Sequence, residues 1–315
     1  MDILKAVVIL VLGFVLLIKG ADFFVEGSSS VARKLRVPPI IIGLTIVAMG
    51  TSLPELAVSV TASLAGNNTI AISNVIGSNF FNLIVVCGTC ALFSPLVINK
   101  SVLKQDFPFS ILCGILLLIV SYMGMELGRA DGIIFIVIFI AYMAFLLRQA
   151  LNARTVSNDD SNEEKKILPV WLCIIFIVGG VVAIKFGGDF VVDGASTIAK
   201  KIGFSDTLIG LTIVAVGTSL PELVTSVVAS RKNELEMALG NVLGSNVFNI
   251  LLILGIASAI SPMSVIKDNI IDIIILTFVS FIVYIFAWTK QKIERKEGIL
   301  MLLTYVTFMI YICVR

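Results

Sequence analysis

Residues 43 to 56 read GLTIVAMGTSLPEL and residues 210 to 223 read GLTIVAVGTSLPEL, one difference in fourteen positions. Each copy sets a glutamate, Glu55 or Glu222, inside a strongly apolar stretch. A carboxylate at bilayer depth costs roughly 2.5 to 3.5 kcal/mol on insertion scales, so each needs a compensating partner. Two such positions related by duplication can share one cation, which points to an ion pathway through a membrane.

The rest of the chain agrees with a membrane setting. Of its 315 residues 58% are hydrophobic and 14% charged, and the mean hydropathy is +1.07. That composition excludes an ordinary soluble domain and predicts an all-α polytopic membrane protein. Ten apolar segments stand at 3 to 18, 40 to 64, 70 to 93, 108 to 124, 132 to 150, 168 to 184, 207 to 229, 237 to 260, 270 to 288 and 298 to 314. Most are long enough to cross as helices. The first meets no small-residue cleavage pattern before Lys19 and reads as a retained helix, not a signal peptide.

The charges orient the crossings. With the N-terminus outside, the loops after helices 1, 3, 5, 7 and 9 carry fifteen of the twenty-three Lys and Arg residues, and the opposite side carries six. The positive-inside rule then places both termini outside a multi-pass cell-membrane protein. A net charge of +2 is too small to suggest a nucleic-acid partner, and no obligate protein partner is evident. The five cysteines all lie in apolar segments, and Cys87 and Cys90 form a lone CxxC with no second pair. They read as small packing residues. No histidine occurs anywhere, so ion chemistry must rest on oxygen ligands.

Pairing Asp22 with Asp189, Gly43 with Gly210, Glu55 with Glu222, Asn82 with Asn249 and Pro95 with Pro262 gives a separation of 167 residues each time. Five crossings per half, an odd number, force the second copy to enter the membrane from the opposite side. The expectation is two inverted five-helix repeats, residues 1 to 147 and 167 to 315, of the kind that place a site near the membrane midplane. Residues 148 to 166, with SNDDSNEEKK, read as a cytoplasmic linker. Helices 1 and 6 run beyond their apolar cores; a first helix from 3 to 35 would span about 50 Å, so it tilts strongly or breaks near Gly20. Asp22 with Glu26, and Asp189 with Asp193, stand four apart on one helix face. They either line an ion entrance or are interfacial groups.

Within GTSLPE, Pro54 has no N–H for the carbonyl of Gly50 and crowds it, so the helix should break there. A break at membrane depth is tolerated where freed carbonyls line a cavity or meet an ion, which makes the carbonyls near Ala48 and, in the second copy, near Ala215 candidate ligands. Thr51 and Glu55 share a helix face with Ser52 close by, and Thr218, Ser219 and Glu222 repeat the set around Pro221. Calcium takes about six to eight oxygens, more than one cluster supplies, so two would be needed. Ser52-x-x-Glu55 and Ser219-x-x-Glu222 also fit capping boxes, a purely structural alternative. The following helices carry NVIGSNFFNL and NVLGSNVFNI, with Asn74, Ser78, Asn82 and Asn241, Ser245, Asn249 as stripes at i, i+4, i+8. Asn74 and Asn241 suit interhelical bonding, while Ser78, Asn82, Ser245 and Asn249 suit cation coordination.

GTSLPE with GSNFFN, and GTSLPE with GSNVFN, closely resemble the two alpha-repeats of the cation/calcium exchanger superfamily, in its sodium/calcium exchanger branch. The resemblance implies an antiporter exchanging Na+ for Ca2+, both ions being substrates and not cofactors. It further implies that Glu55 and Glu222 are the central carboxylates and that Thr51 and Thr218 join the calcium site. Ser52, Ser78, Asn82, Ser219, Ser245 and Asn249 would serve sodium sites, and Ala48 and Ala215 would lend carbonyls. The potassium-dependent branch carries aspartate where this chain has Asn249, and the proton/calcium branch carries a GNxxE-type motif in place of GTSLPE; both departures favour potassium-independent sodium coupling. The family expectation of three Na+ per Ca2+ implies electrogenic exchange, with helices 1 and 6 sliding past the others. The large calcium-sensing insert of animal exchangers has no counterpart here, so the chain resembles a minimal prokaryotic core. An intramembrane enzyme is disfavoured, because HExxH and GxSxG are both absent.

Overall fold

The computed structural model describes residues 3–156, 167–204, 209, 213 and 215–314. It is helical almost throughout. We label the helices α1 (Ile3–Leu35), α2 (Pro39–Thr51), α3 (Leu53–Leu64), α4 (Asn68–Phe93), α5 (Lys100–Gly124), α6 (Arg129–Val156), α7 (Val170–Ile202), α8 (Leu220–Arg231), α9 (Leu235–Ile260), α10 (Lys267–Lys290) and α11 (Arg295–Val314). Seven of these are long and apolar enough to cross a membrane, and α2 with α3, bent by 50° at Ser52, makes an eighth. Helix α11, at 20 residues, is about 30 Å long, the depth of a hydrocarbon core. The expected crossing at 207 to 229 falls partly outside the described residues, which resume with the short turn Ala215–Gly217 and α8.

Helix α1 runs unbroken for 33 residues, so of the two ways to fit its length the break near Gly20 does not occur. Helix α6 continues to Val156, taking up the first part of the expected linker; residues 157 to 166 lie outside the described residues.

The chain packs as two units. The first comprises Met1–Thr51 with Phe145–Asn241. Its frame is the pair α1 and α7, packed along their lengths. A Cβ on Gly13 would lie 2.9 Å from the carbonyl oxygen of Gly187, one on Gly180 2.8 Å from that of Gly20, and one on Gly194 2.8 Å from that of Ala6. The partners run in opposite directions along the two helices, and the glycines recur every seventh residue on each. Small residues at that spacing make a flat seam on which two backbones touch, and at bilayer depth such contact replaces hydrophobic driving force. Outward from the seam, Val8, Val11, Val15, Ile174 and Val178 are exposed, as a lipid-facing surface requires.

The second unit comprises Ser52–Ala144 with Val242–Arg315. Over their most apolar stretch α4 and α9 have 78% of positions buried, against 22% in α1 and α7, so the helices carrying the GSN motifs are core elements. Two short antiparallel strand pairs belong to this unit: Leu96–Val97 with Lys292–Ile293, and Glu126–Leu127 with Met263–Ser264. Each joins the end of a third helix in one half to the turn between the fourth and fifth helices of the other. Glycine contacts follow the same rule, Gly88 against Gly298 and Gly132 against Gly255. Reciprocal pairing of this kind is what a two-fold relation between inverted repeats produces.

The turns repeat even where their residues differ. Among the described residues positive φ occurs at Arg36 and Gly203, at Gly66 and Asn233, and at Met125 and Gln291, three pairs at corresponding places in the halves. All follow helix ends, where a left-handed residue closes the last turn.

Candidate ion-binding site

The helix breaks form at the expected motifs. Helix α2 ends at Thr51 and α3 begins at Leu53, with Pro54 in the first turn of α3, where its missing N–H costs nothing. In the second copy Pro221 occupies the same place in α8. The serine half of the capping alternative does not form: neither Ser52 nor Ser219 makes a side-chain cap hydrogen bond.

Three further distortions accompany the breaks. Gly43–Val47, Asn82–Val86 and Asn249–Ile253 are π-helical, the last two starting at the final asparagines of GSNFFN and GSNVFN. The counterpart of the first, 210 to 214, lies almost wholly outside the described residues. A π turn inserts one residue into the ladder and re-aims the side chains beside it, which is why such turns gather at functional positions.

In the second unit, α3 packs against α4 and against the π turn that starts at Asn249. Glu55 is 0% exposed, and the Ser78 hydroxyl reaches its Oε1 at 3.5 Å, the long limit of a hydrogen bond. Ser52, Ser78, Asn82, Ser245 and Asn249 are buried in the same unit. Asn249 Nδ2 donates to Asn79 Oδ1 at 2.9 Å, which turns Asn249 Oδ1 away, buried and without a hydrogen-bond partner. Both amide atoms of Asn82 and the Ser245 hydroxyl are likewise buried without one. Leaving a buried polar atom unsatisfied costs about 1 to 3 kcal/mol, so a cluster of them calls for a ligand.

Asn79 and Asn246 were not singled out by their spacing, yet they hold this unit together. Asn79 Nδ2 donates to the carbonyl of Asn246 at 3.1 Å, and Asn246 Nδ2 returns a bond to the carbonyl of Asn79 at 3.3 Å. The two positions are 167 residues apart, the repeat separation itself. That coincidence is the one signal the sequence carries for them.

In the first unit, the last turn of α2 packs on α8. Ala48, Thr51, Ser219 and Glu222 are buried there, Glu222 at 0% exposure. Thr218 is half-buried and its hydroxyl oxygen has no hydrogen-bond partner; the Ala215 side chain lies outside the described residues, though its backbone opens the turn before the break. The Thr51 hydroxyl has Val47 O at 3.1 Å, Ala48 O at 3.3 Å and Asn241 Oδ1 at 3.0 Å within reach. Asn74 donates to Ser59 Oγ at 3.1 Å and Asn241 to Ser226 Oγ at 2.9 Å, the interhelical bonding expected of both.

Among the described residues no group of three His, Cys, Asp or Glu side chains gathers as a metal cluster. Three of the four acids read as an entrance or as interfacial groups are paired: Lys232 Nζ bridges Asp22 Oδ1 at 2.7 Å and Glu26 Oε2 at 3.5 Å, and Lys185 holds Asp189 on its own helix. Asp193 is exposed. Cys87, Cys90, Cys113 and Cys173 are free and buried, as packing residues would be.

Comparison with known proteins decides the family. The family model described as sodium/calcium exchanger protein matches residues 5–148 and again 172–314. The chain belongs to the sodium/calcium exchanger family. This family member is 37% identical to the putative antiporter CaxA of Alkalimonas amylolytica over 97% of its own length and 98% of the relative's. It is 35% identical to the sodium/calcium exchanger MaX1 of Methanosarcina acetivorans, over 96% and 97%. It is 33% identical to the inner membrane protein YrbG of Escherichia coli, over 96% and 94%. A solved structure of the sodium-calcium exchanger NCX_Mj superposes with a TM-score of 0.84 at 33% identity, covering 97% of this chain and 98% of that one. The exchanger is thus a multi-pass cation antiporter of this fold, a transporter and not an enzyme.

Proposed function

We propose that the protein exchanges Na+ for Ca2+ by alternating access, independently of potassium, with Glu55 and Glu222 as the carboxylates that take the transported ion. Thr51, Thr218, Ser52, Ser219, Ser78, Ser245, Asn82 and Asn249, with the carbonyls of Ala48 and Ala215, supply the neutral oxygens. The observation that carries this reading is the set of buried oxygens without hydrogen-bond partners on the duplicated motifs, Thr218 Oγ1, Ser245 Oγ and Asn249 Oδ1, together with the Asn82 amide. Two carboxylates carry a charge of about −2, which one Ca2+ or two Na+ neutralise, so the ions compete for the same oxygens. The name of the Methanosarcina relative, a sodium/calcium exchanger, supports the same pair of substrates.

The two halves, residues 1 to 147 and 167 to 315, are joined in this reading by a cytoplasmic connector at 148 to 166, with both termini on the outer face of the cell membrane. The distribution of Lys and Arg supports that orientation. An amide at Asn249 supports potassium independence, since a carboxylate there would add a negative charge able to hold a further cation.

Calcium uptake into proteoliposomes tests the proposal, with outward Na+, K+ and H+ gradients imposed one at a time. Uptake is expected to follow the Na+ gradient and to be indifferent to K+. Uptake driven by a pH gradient without Na+, or a requirement for K+ alongside Na+, would replace this reading with proton coupling or potassium co-transport.

A further inference from the structure

We infer that Asn241 is a positioning residue for ion binding: its Oδ1 accepts the hydrogen bond of the Thr51 hydroxyl and so leaves that oxygen's lone pairs, and the carbonyls of Val47 and Ala48, able to face a cation. The inference rests on the assignment of Thr51 as an ion ligand made above. A hydroxyl has one proton to give, and Thr51 has three acceptors within reach: Val47 O at 3.1 Å, Ala48 O at 3.3 Å and Asn241 Oδ1 at 3.0 Å. Threonines in apolar helices ordinarily give it to the carbonyl four residues back, as Thr277 and Thr304 do here. That arrangement would use up the Val47 carbonyl beside the break.

Asn241 offers an alternative because its amide is pinned. Its Nδ2 faces the backbone carbonyl of Glu222 at 3.4 Å, a group that only accepts, and donates to Ser226 Oγ at 2.9 Å. Turning the amide over would set oxygen against the Glu222 carbonyl, so Oδ1 is the end presented to Thr51. One fully buried side chain thus links the hydroxyl of the first break to the helix turn that bears the second glutamate. The corresponding residue of the first half, Asn74, is half-buried and bonded to Ser59, while the Thr218 hydroxyl has no hydrogen-bond partner. The two threonines are therefore held differently, and the arrangement belongs to the Thr51 side.

The test is a double-mutant cycle on Ca2+ uptake driven by a Na+ gradient in proteoliposomes, with KM and maximal rate determined separately. Asn241→Leu is expected to raise the KM for Ca2+ about tenfold, the worth of one hydrogen bond in a buried charged site, with a smaller change in maximal rate. Thr51→Val is expected to raise it as well, and the two together no more than Thr51→Val alone, because Asn241 acts through that hydroxyl. Ser226→Ala, which only loosens the amide, should shift KM in the same direction by less, and it stands in if Asn241→Leu does not reconstitute. Effects that multiply in the double variant, or an unchanged KM in both Asn241→Leu and Ser226→Ala, would overturn the inference. Glu222→Gln run alongside separates the levels: its inactivity with multiplying effects removes only the positioning role, whereas wild-type uptake in Glu222→Gln removes the site on which that role depends.

Discussion

At the scale of single residues, the proposed chemistry rests on two buried carboxylates, Glu55 and Glu222, with neutral oxygens as their partners. Glu55→Gln and Glu222→Gln each preserve shape and remove one charge, leaving a divalent ion half compensated. Each is expected to cut calcium exchange by roughly a hundredfold or more, since an uncompensated charge at membrane depth costs about 2.5 to 3.5 kcal/mol. Radioactive calcium uptake at saturating Na+ gradient measures this, and a variant with wild-type flux would exclude its glutamate from the site. That Glu55, Glu222, Thr51, Ser52 and Ser219 would be buried polar groups was legible, because the duplicated motifs set them in an apolar background. Asn79 and Asn246 were not, because an amide's role depends on which way it is turned and what lies across from it. No spacing along one helix encodes that.

At the scale of elements, the breaks could be read from Pro54 and Pro221, whose missing donors and ring bulk act locally. The π turns could not. Adding a residue to a turn changes one hydrogen bond, and whether the neighbours reward it is settled by packing. The seam between α1 and α7 is an intermediate case: its sevenfold glycine spacing is written in the sequence, but only the structure shows which residue meets which. It supports a sharp contrast. An alanine methyl at Gly187 would lie 2.6 Å from the backbone nitrogen of Leu17, whereas at Gly179 it would meet nothing within 4 Å. Gly187→Ala is expected to destabilise by about 1 to 3 kcal/mol through overpacking. Gly179→Ala should be neutral or stabilise by up to about 1 kcal/mol, from helix propensity. Thermal unfolding of the detergent-solubilised protein checks both, and equal melting temperatures for the two variants would contradict the seam.

At the scale of the whole molecule, the repeat separation and the apolar segments made the class and architecture legible. The exchange ratio is a property of the full cycle and is readable from no single residue. If three Na+ move against each Ca2+, one net charge crosses per turnover and is worth about 2.3 kcal/mol per 100 mV. Calcium uptake on a fixed Na+ gradient should then accelerate when a valinomycin-imposed potential draws positive charge outward and slow when it is reversed. An electroneutral ratio would leave the rate insensitive to either. A second measurement concerns assembly. A chain cut between residues 156 and 167, with both pieces expressed together, is expected to retain exchange, because neither terminus of the cut belongs to the motifs; complete loss in co-expressed, membrane-inserted pieces would assign the connector more than a covalent role.

The reciprocal contacts have a consequence for biosynthesis. Among the described residues glycine answers glycine, strand answers strand and asparagine answers asparagine between the amino-terminal and carboxy-terminal portions, so these contacts form once both are present. The ribosome delivers them in order. The earlier helices can therefore seat Glu55 against Ser78 by themselves, whereas the packing of α3 on the turn that starts at Asn249 waits for the later ones.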